Sequence, residues 1–341
     1  MAAMKPFAAR PLPRDGLDWR SLVPAIGQAN RALARYDGIL HGVPDPAVLL
    51  SPMTTQEAVL SSKIEGTQAT LGEVFRFEAG DGMTESSRRE DILEILNYRR
   101  ALREAERGLK KRPFNLPLLK RLHAVLLDSA RGRDKAPGEF RRTQNWIGAP
   151  GTPMRAARFV PPPPGQIPAL LANLAQYWRS EELDPLVQLA LIHAQFEVIH
   201  PFRDGNGRIG RILVPLFLYE KRLLSRPMFY LSAYLDANRG AYVARLRALN
   251  GPRSWNVWVA FFLHAVTVQA EANGEKARAM LALYERLKAR AIELTRSQYA
   301  VPLLDRLFAQ PVLASNALFR DPKMPSKPMV TQLLRTLREA G

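Results

Sequence analysis

A short polar loop between two apolar segments carries the residues of this sequence that are best suited to chemistry. The segment 186–218 reads LVQLALIHAQFEVIHPFRDGNGRIGRILVPLFL, and its polar centre runs from His200 to Arg211. An unperturbed histidine titrates near neutral pH, so His200 can act as a general base, whereas Asp204 can hold a hard cation such as Mg²⁺. Such a density of charged, amide and glycine residues between two apolar helices has no packing rationale. We therefore interpret the loop as a candidate catalytic site.

The glycines and arginines of this loop predict phosphate binding. Gly205 and Gly207 permit left-handed backbone dihedral angles and let a ligand approach the main chain closely. The helix that follows would offer free amide groups and the positive end of its dipole to an anion. Arg208 and Arg211 are three residues apart, so they share a helix face and can bind phosphate oxygens in bidentate fashion. Together with the histidine and the carboxylate, these residues predict phosphoryl or nucleotidyl transfer.

Generic motifs do not account for the loop. The GNGRIG segment fits the dinucleotide-binding pattern, but that pattern follows a strand, and an apolar helix precedes it here. Asp204 begins a stretch like a calcium loop, but Ile209 occupies the position of its turn glycine. The sequence has no P-loop motif. His193 lacks a third metal ligand at suitable spacing, so we expect a core histidine there, and a structural role for His123 as well.

The elements that must position this loop are predominantly helical, and we predict an all-α fold. The segment 140–164 is an exception that ends in four prolines, and it predicts a small β-hairpin flap with its turn at Ala149-Pro150-Gly151. Elsewhere apolar residues recur at helical spacing. These helical runs cover 93–102, 116–127, 167–178, 186–199, 209–224, 241–249, 255–270 and 276–293.

Composition excludes several classes of protein. Without any cysteine the chain can form no disulfide framework, thiolate nucleophile or cysteine-ligated metal centre, which is compatible with the cytoplasmic location we expect. No apolar run approaches the roughly 20 residues of a membrane-spanning helix, so we expect no membrane partner. The 49 Lys and Arg against 32 Asp and Glu give a net charge of +17, which favours a polyanionic partner without choosing one.

From His200 to Arg211 the loop resembles the Fic motif, H-P-F-x-[DE]-G-N-G-R-x-x-R, and fills every defining position of it. The resemblance implies a Fic-fold helical bundle and transfer of AMP from the substrate ATP to a hydroxyl group of a target protein. It implies that His200 deprotonates this hydroxyl, that Asp204 holds Mg²⁺ or Mn²⁺, and that Phe202 anchors the loop. It also implies that the ATP phosphates bind Gly205, Asn206, Gly207, Arg208 and Arg211, the last at the γ-phosphate.

A second resemblance lies far upstream, in the segment 61–66. Its letters SSKIEG resemble the Fic inhibitory motif [ST]-x-x-x-E-[GN], with Ser61, Glu65 and Gly66 at the defining positions. The resemblance implies that Glu65 pairs with Arg211 and prevents productive binding of the γ-phosphate. This is physically reasonable because a carboxylate on a guanidinium group competes with phosphate for the same donors. It places the chain with Fic proteins whose inhibitory helix precedes the catalytic core.

Two further regions resemble parts of Fic proteins. One is the flap, a hairpin that binds a target segment by strand addition. The residues that would dock the target there are Asn145, Trp146, Ile147 and Gly148. The other is 301–341, which resembles a winged-helix module with Thr331 to Leu337 on its recognition helix. The sequence stops at Gly341, where a wing would begin, so we expect an incomplete module, and DNA binding by this tail stays open.

A length of 341 residues exceeds what one compact core usually serves, and we predict three regions. The first, 1–110, is helical and contains the inhibitory motif, and its polar stretch 79–87 predicts a loop. The second, 111–272, is the Fic catalytic core. The third, 273–341, is a basic helical linker followed by the incomplete winged-helix-like module.

The sequence therefore predicts an autoinhibited protein adenylyltransferase whose partners are ATP and an unidentified target protein docked at the flap. Self-modification and assembly into a homo-oligomer stay open. The same scaffold could instead remove AMP, with Glu65 orienting a water, or transfer another phosphate-containing group. An alternative of another class is a DNA-binding regulator with a vestigial Fic site.

Overall fold

A computed structural model describes residues 5–81, 86–149, 151–251 and 253–340. Within these residues the chain is built from α-helices and three short 3-10 helices, and its β-structure amounts to one isolated antiparallel bridge. The prediction of an all-α fold is confirmed. None of the described helices is both long and apolar enough to cross a membrane.

Fifteen α-helices follow one another along the described residues. They are α1 (Trp19–Gly42), α2 (Pro46–Leu49), α3 (Ser51–Ile64), α4 (Leu71–Glu78), α5 (Ser86–Leu109), α6 (Leu116–Leu126), α7 (Ile167–Arg179), α8 (Pro185–Ile199), α9 (Asn206–Glu220), α10 (Ser232–Ala237), α11 (Arg239–Arg247), α12 (Ser254–Thr295), α13 (Ala300–Ala309), α14 (Ser315–Phe319) and α15 (Lys327–Glu339). The 3-10 helices cover Ala130–Lys135, Met154–Ala156 and Pro164–Gln166.

Helices α8 and α9 form the centre of the molecule. α8 begins at Pro185 because proline suits the first turn of a helix, and the side chain of Asp184 accepts hydrogen bonds from the amides of Leu186 and Val187 at 2.9 and 3.0 Å. Nearly every residue of α8 is buried and most of them are apolar, so neighbouring helices surround it on all sides. α9 continues through Pro215 and is buried along most of its length. The loop between these two helices is therefore held from both ends by the core.

The inhibitory segment lies at the end of α3, which packs against α5, α9 and α10. The buried Glu57 anchors this helix, because its carboxylate accepts hydrogen bonds from the hydroxyl and amide of Ser232 at 2.6 and 3.1 Å and from the hydroxyl of Tyr98 at 3.3 Å. Glu65 caps the helix, and Gly66 follows with a φ of +111° that favours glycine. The helix end that carries Glu65 is thus fixed by both packing and backbone geometry.

One long helix replaces two of the predicted runs. We expected separate helices at 255–270 and 276–293, but α12 runs unbroken over 42 residues. α1 packs along it, and Gly274 allows a close approach, since a Cβ there would lie 3.1 Å from Cδ1 of Ile39. The boundary predicted between residues 272 and 273 falls inside this helix. The division into three regions stays a prediction.

The flap is less regular than the sequence predicted. In place of a hairpin with paired strands, the residues described on either side of 150 form a single bridge, from Ile147 to Phe159, because prolines flank the segment and cannot donate to a ladder. Pro150, at the predicted turn, lies outside the described residues, and so do 82–85 of the predicted loop 79–87.

The last three helices, α13 to α15, share a small core of their own, made of Leu303, Leu318, Val330 and Leu333. The predicted recognition segment lies on α15, while Gly341 and residues 1–4 lie outside the described residues. The winged-helix character of this region and its DNA binding stay predictions.

Candidate active site

His200 lies where α8 ends, in a left-handed backbone conformation with φ +50° and ψ +61°. This conformation costs a residue with a Cβ roughly 1–2 kcal/mol, and such strain is typical of functional positions. Its Nδ1 is buried and has no hydrogen-bond partner among the described residues. Burial lowers the pKa of His200 from 6.5 to about 4. The ring is therefore neutral at pH 7 and able to accept a proton.

Arg141 holds the backbone of this histidine in place. Its side chain is buried, and it donates from Nε to the carbonyl of His200 at 2.9 Å and from Nη2 to the carbonyl of Pro162 at 2.6 Å. Its own amide donates to the carbonyl of Pro201 at 2.8 Å. Arg141 thus ties the flap to the entrance of the loop. Sequence reasoning missed it, because nothing in its spacing distinguished it from the other arginines.

The side chain of Asn206 closes the loop rather than facing a ligand. Its Oδ1 accepts from the amide of Phe202 at 2.8 Å, and its Nδ2 donates to the carbonyl of the same residue at 2.9 Å. Phe202 is fully buried, so it anchors the loop in the core. Only the main chain of Asn206 remains available for a phosphate.

The first turn of α9 has the geometry of an anion site. Gly205 precedes the helix with a φ of +74°, and a Cβ at this position would lie 3.2 Å from Cδ2 of Leu126. Gly207 has no room for a side chain either, because its Cβ would lie 2.2 Å from Oε1 of Glu65. The first amides of a helix have no partner within it, and the helix dipole adds positive potential there. This turn can therefore bind phosphate through its backbone.

Arg211 is held by the inhibitory segment. Its side chain is only 1% exposed. Its Nε donates to Oγ of Ser61 and its Nη2 donates to the carbonyl of Ser61, each at 2.8 Å. Nη2 also donates to Oε1 of Glu65 at 2.7 Å. Burial by itself would raise the pKa of Glu65, but the adjacent charge of Arg211 outweighs burial and holds this pKa below its usual value. The structure thus brings Ser61, Glu65 and Arg211 into one ion-paired cluster, with Gly66 directly behind it.

Arg208 faces a different carboxylate. Its Nη1 donates to Oε2 of Glu94 on α5 at 2.8 Å, and its Nη2 lies 3.7 Å from Oδ1 of Asp204. Arg131 approaches the same glutamate at 3.6 Å. Sequence reasoning missed Glu94, since no motif or spacing links α5 to the loop.

The acid Glu197, whose Oε1 is buried, lies next to the cluster of Ser61, Glu65 and Arg211. Oε1 of Glu197 has no hydrogen bond among the described residues and lies 2.1 Å from where a Cβ of Gly210 would be. Burial raises the pKa of Glu197 to about 7. His193, in contrast, has both ring nitrogens engaged, Nδ1 with the carbonyl of Gly210 and Nε2 with the hydroxyl of Tyr242. It is a core histidine, as the sequence predicted.

The residues of the loop fit a divalent cation that is bound mainly by its substrate. The side chain of Asp204 is 49% exposed, and its Oδ1 accepts from the amide of Gly205 at 2.5 Å. Among the described residues no three His, Cys, Asp or Glu side chains converge on a point that could hold a metal. Mg²⁺ commonly takes one or two carboxylates and completes its shell with phosphate oxygens and water. Asp204 suits that role.

The four flap residues point in different directions. Asn145 faces inward and donates to the carbonyl of Phe202 at 3.2 Å. Trp146 and Ile147 are exposed, and Nε1 of Trp146 donates to the carbonyl of Thr152 at 2.7 Å. Gly148 is exposed as well. The structure therefore brings Asn145 to the catalytic loop and leaves the other three on the surface.

An all-α bundle with a flap, a phosphate-binding loop and a carboxylate from an upstream helix on its last arginine defines a Fic-fold protein. The structure is similar to that of a Fic family protein from Desulfovibrio desulfuricans G20, with a TM-score of 0.64 and 19% identity, over 98% of this chain and 92% of that one. It is also similar to a Fic domain containing signaling protein from Bacteroides thetaiotaomicron, with a TM-score of 0.57 and 19% identity, over 74% of this chain and 97% of that one. These likenesses show the fold.

Family models identify the chain more closely. The model described as Fic/DOC family N-terminal matches residues 23–107, and the model described as Fic/DOC family matches residues 113–218. The two matches together span more than half of the chain. The chain belongs to the Fic/DOC family.

Curated relatives match over the catalytic region alone. The chain is 44% identical over 92 residues to a probable protein adenylyltransferase of Aquifex aeolicus (strain VF5), a match that covers 26% of this chain and 29% of the relative. It is 41% identical over 85 residues to the protein adenylyltransferase Fic of Drosophila grimshawi, a match that covers 24% of this chain and 16% of the relative. The chain thus spans less than a third of the length of these curated relatives.

Proposed function

We propose that the protein transfers AMP from ATP to a Ser, Thr or Tyr hydroxyl of a target protein and that Glu65 inhibits this reaction. The observation that carries the proposal is the loop between α8 and α9. Within twelve residues it combines a neutral histidine whose Nδ1 has no partner among the described residues, a free helix amino end, and Arg208 and Arg211. The curated relatives that match this region are named protein adenylyltransferases, which supports the same activity.

In the proposed reaction His200 accepts the proton of the target hydroxyl. The hydroxyl oxygen forms a bond to the α-phosphorus of ATP, the bond from that phosphorus to its bridging oxygen breaks, and pyrophosphate leaves with the bonding electrons. The low pKa of His200 keeps it neutral at pH 7, as a base must be before it acts. The mechanism needs no enzyme nucleophile, which agrees with a chain that has no cysteine.

The phosphates are stabilised by the first turn of α9 and by its two arginines. The main chain of Gly205, Asn206 and Gly207 supplies the nest, while the buried side chains of Arg208 and Arg211 supply charge. Asp204 is the residue that would hold Mg²⁺ or Mn²⁺, which when bound neutralises negative charge on the phosphates. Arg211 serves the γ-phosphate only when Glu65 leaves it.

We place the docking of the target at the exposed edge of the flap. Ile147 and Phe159 exchange two hydrogen bonds, so the main-chain groups of Ile147 face Phe159. The main-chain groups of the neighbouring residues, Trp146 and Gly148, point away from Phe159, toward the free edge of this segment. The outer edge beyond Phe159 is already used, because the amide of Phe7 donates to the carbonyl of Val160 at 2.8 Å. An extended target segment therefore adds beside Trp146 and Gly148.

The proposal is tested with ATP labelled at the α-phosphate, using wild type, Glu65→Gly, and Glu65→Gly combined with His200→Ala. We expect label on protein to rise in the first variant and to disappear in the double variant, with the mass of one AMP added to the modified protein. Calorimetry measures nucleotide binding by the double variant, and retained binding shows that the variant is still folded. Label of equal intensity in both variants would contradict the proposal.

A second candidate function is removal of AMP from a modified protein. The observation that favours it is the position of Glu65 directly over Gly207, with Oε2 free of hydrogen bonds among the described residues and thus able to orient a water. Incubation with a protein that already carries AMP tests this candidate. Release of AMP that depends on Glu65 supports it, while stable modification rules it out.

The other expectations of the sequence stay predictions. They are the transfer of another phosphate-containing group, self-modification, a homo-oligomer, DNA binding by the tail and a cytoplasmic location.

A further inference from the structure

His123 lies directly beneath the catalytic loop, on α6. Its ring is fully buried, its Nδ1 lies 2.9 Å from the amide nitrogen of Gly138, and its Nε2 lies 3.0 Å from the carbonyl oxygen of Asp204. An amide can only donate, so Nδ1 must be the unprotonated acceptor. Nε2 therefore carries the hydrogen and donates it to Asp204. The two neighbours together select one neutral tautomer of the ring.

The ring also supports the loop by packing. It stacks on Phe202 with the ring centroids 3.7 Å apart and the planes inclined by 7°. On the other side of the loop, a Cβ at Gly205 would lie 3.7 Å from Cδ2 of the histidine, so the backbone of this glycine is close. His123 thus touches the loop before and after the residue to which it donates.

The peptide unit between Asp204 and Gly205 connects this hydrogen bond to the candidate metal ligand. Its carbonyl accepts from His123, and its amide donates to Oδ1 of Asp204 itself. Because a peptide unit is planar, a rotation of the carbonyl away from His123 turns the amide as well. The carboxylate of Asp204 would then lose the donor that orients it, and the nest that begins at Gly205 would turn with it.

We propose that His123 is a positioning residue for the proposed reaction, and that its Nε2–H bond to the carbonyl of Asp204 sets the direction of the Asp204 carboxylate and of the amides that follow. This inference rests on the proposed function, because it assumes that Asp204 holds the cation of the bound nucleotide. His123 does not touch substrate, and it acts through the peptide unit that joins Asp204 to Gly205. Groups of this kind, one bond behind a metal ligand, typically change metal affinity by roughly 10- to 100-fold when they are removed.

Three substitutions separate the contacts of the ring. His123→Gln places an amide nitrogen where Nε2 was and can still donate to Asp204, but it loses the acceptor for Gly138. His123→Asn places an amide oxygen where Nδ1 was and can still accept from Gly138, but it cannot reach Asp204. His123→Phe keeps the stacking on Phe202 and loses both hydrogen bonds. All three are made in the Glu65→Gly variant, so that nucleotide can bind.

Electron paramagnetic resonance measures the affinity for Mn²⁺ in the presence of a non-hydrolysable ATP analogue. Urea unfolding is the control for stability. We expect the Gln variant to stay within about 3-fold of its parent and the Asn and Phe variants to bind Mn²⁺ roughly 10-fold more weakly or worse. Equal affinity in all three, or losses that follow only their stabilities, would overturn the proposal.

The tautomer gives a second, metal-free readout. In the parent, nitrogen-15 spectra of histidine should show Nε2 of His123 protonated and Nδ1 unprotonated at pH 7, and the reverse tautomer would overturn the proposal. Failure of the proposed function is distinguishable, because the Mn²⁺ and tautomer patterns would hold while no AMP reached any protein. A parent that bound no Mn²⁺ with the analogue would overturn both.

Discussion

The ion pair between Glu65 and Arg211 makes a quantitative prediction about nucleotide binding. Arg211 has three hydrogen bonds to the inhibitory segment, of which the one to Glu65 at 2.7 Å is the only one to a charged group. A hydrogen bond to a charged group contributes about 1.5–3 kcal/mol. A γ-phosphate can bind Arg211 only after this hydrogen bond is broken. The free energy lost in breaking it corresponds to a roughly 10- to 150-fold lower affinity for ATP.

We therefore expect Glu65→Gly to bind ATP roughly 10- to 150-fold more tightly than wild type in the presence of Mg²⁺. The two bonds from Arg211 to Ser61 remain, so the guanidinium group stays in place for phosphate. Glu65→Gln should show a smaller gain, because it keeps an acceptor but loses the charge. Isothermal titration calorimetry measures the affinities, and the rate of labelling from ATP should follow the same order.

Lys63→Ala is a matched control on the same helix. Lys63 pairs with Asp236 at 2.7 Å, but its side chain is 57% exposed, so the pair contributes little. This variant should bind ATP like wild type. Equal affinity for ATP in wild type and Glu65→Gly would refute the reasoning, and a gain in Lys63→Ala as large as in Glu65→Gly would show that loosening α3 is enough.

Acid should not relieve this inhibition within the usual range. The pKa of Glu65 is held below 4.5, so the carboxylate stays ionised, and its pairing is lost only when the pH falls through that lowered value. The ratio of the ATP affinities of Glu65→Gly and wild type should therefore stay flat between about pH 5.5 and pH 8. A steep fall of this ratio at about pH 6 would show that another group controls the contact.

Three further predictions concern the residues around the loop. Gly205→Ala should lower the free energy of unfolding by about 1–2 kcal/mol in urea titrations, because its φ is +74°, and no loss would contradict the strain. Arg141→Lys should lower the free energy of unfolding by about 3 kcal/mol in urea titrations, since the carbonyls of His200 and Pro162 lose a donor. It should also slow the labelling of protein from ATP, and an unchanged rate would contradict the role of Arg141 in holding His200. Burial raises the pKa of Glu197 to about 7, so the free energy of unfolding of wild type falls as the pH rises from 4.5 to 7. Over this interval Glu197→Gln should gain on the order of 3 kcal/mol relative to wild type in urea titrations at each pH. A difference that does not change with pH would refute this pKa.

Sequence and structure contributed different parts of this picture. The helical periodicity predicted α7, α8 and α11 to within about two residues, because amphipathic or fully apolar runs are local patterns. The same periodicity divided α12 into two helices, because the polar stretch near Gly274 resembles a break. Only the packing of α1 against that glycine shows why the helix continues. The flap was predicted as a hairpin, but in its described part the prolines leave only one bridge.

The sequence by itself determined the chemistry of the loop, because a base, a cation ligand, a phosphate nest and the pair Arg208 and Arg211 all lie between residues 200 and 211. It linked Glu65 to Arg211 only through resemblance to a family. Tertiary structure alone decided which side chains hold these residues in place. Glu94, His123 and Arg141 lie 114, 81 and 59 residues from the loop residues they contact. No local spacing can encode such contacts, because they exist only once the helices have packed and buried polar groups must find partners.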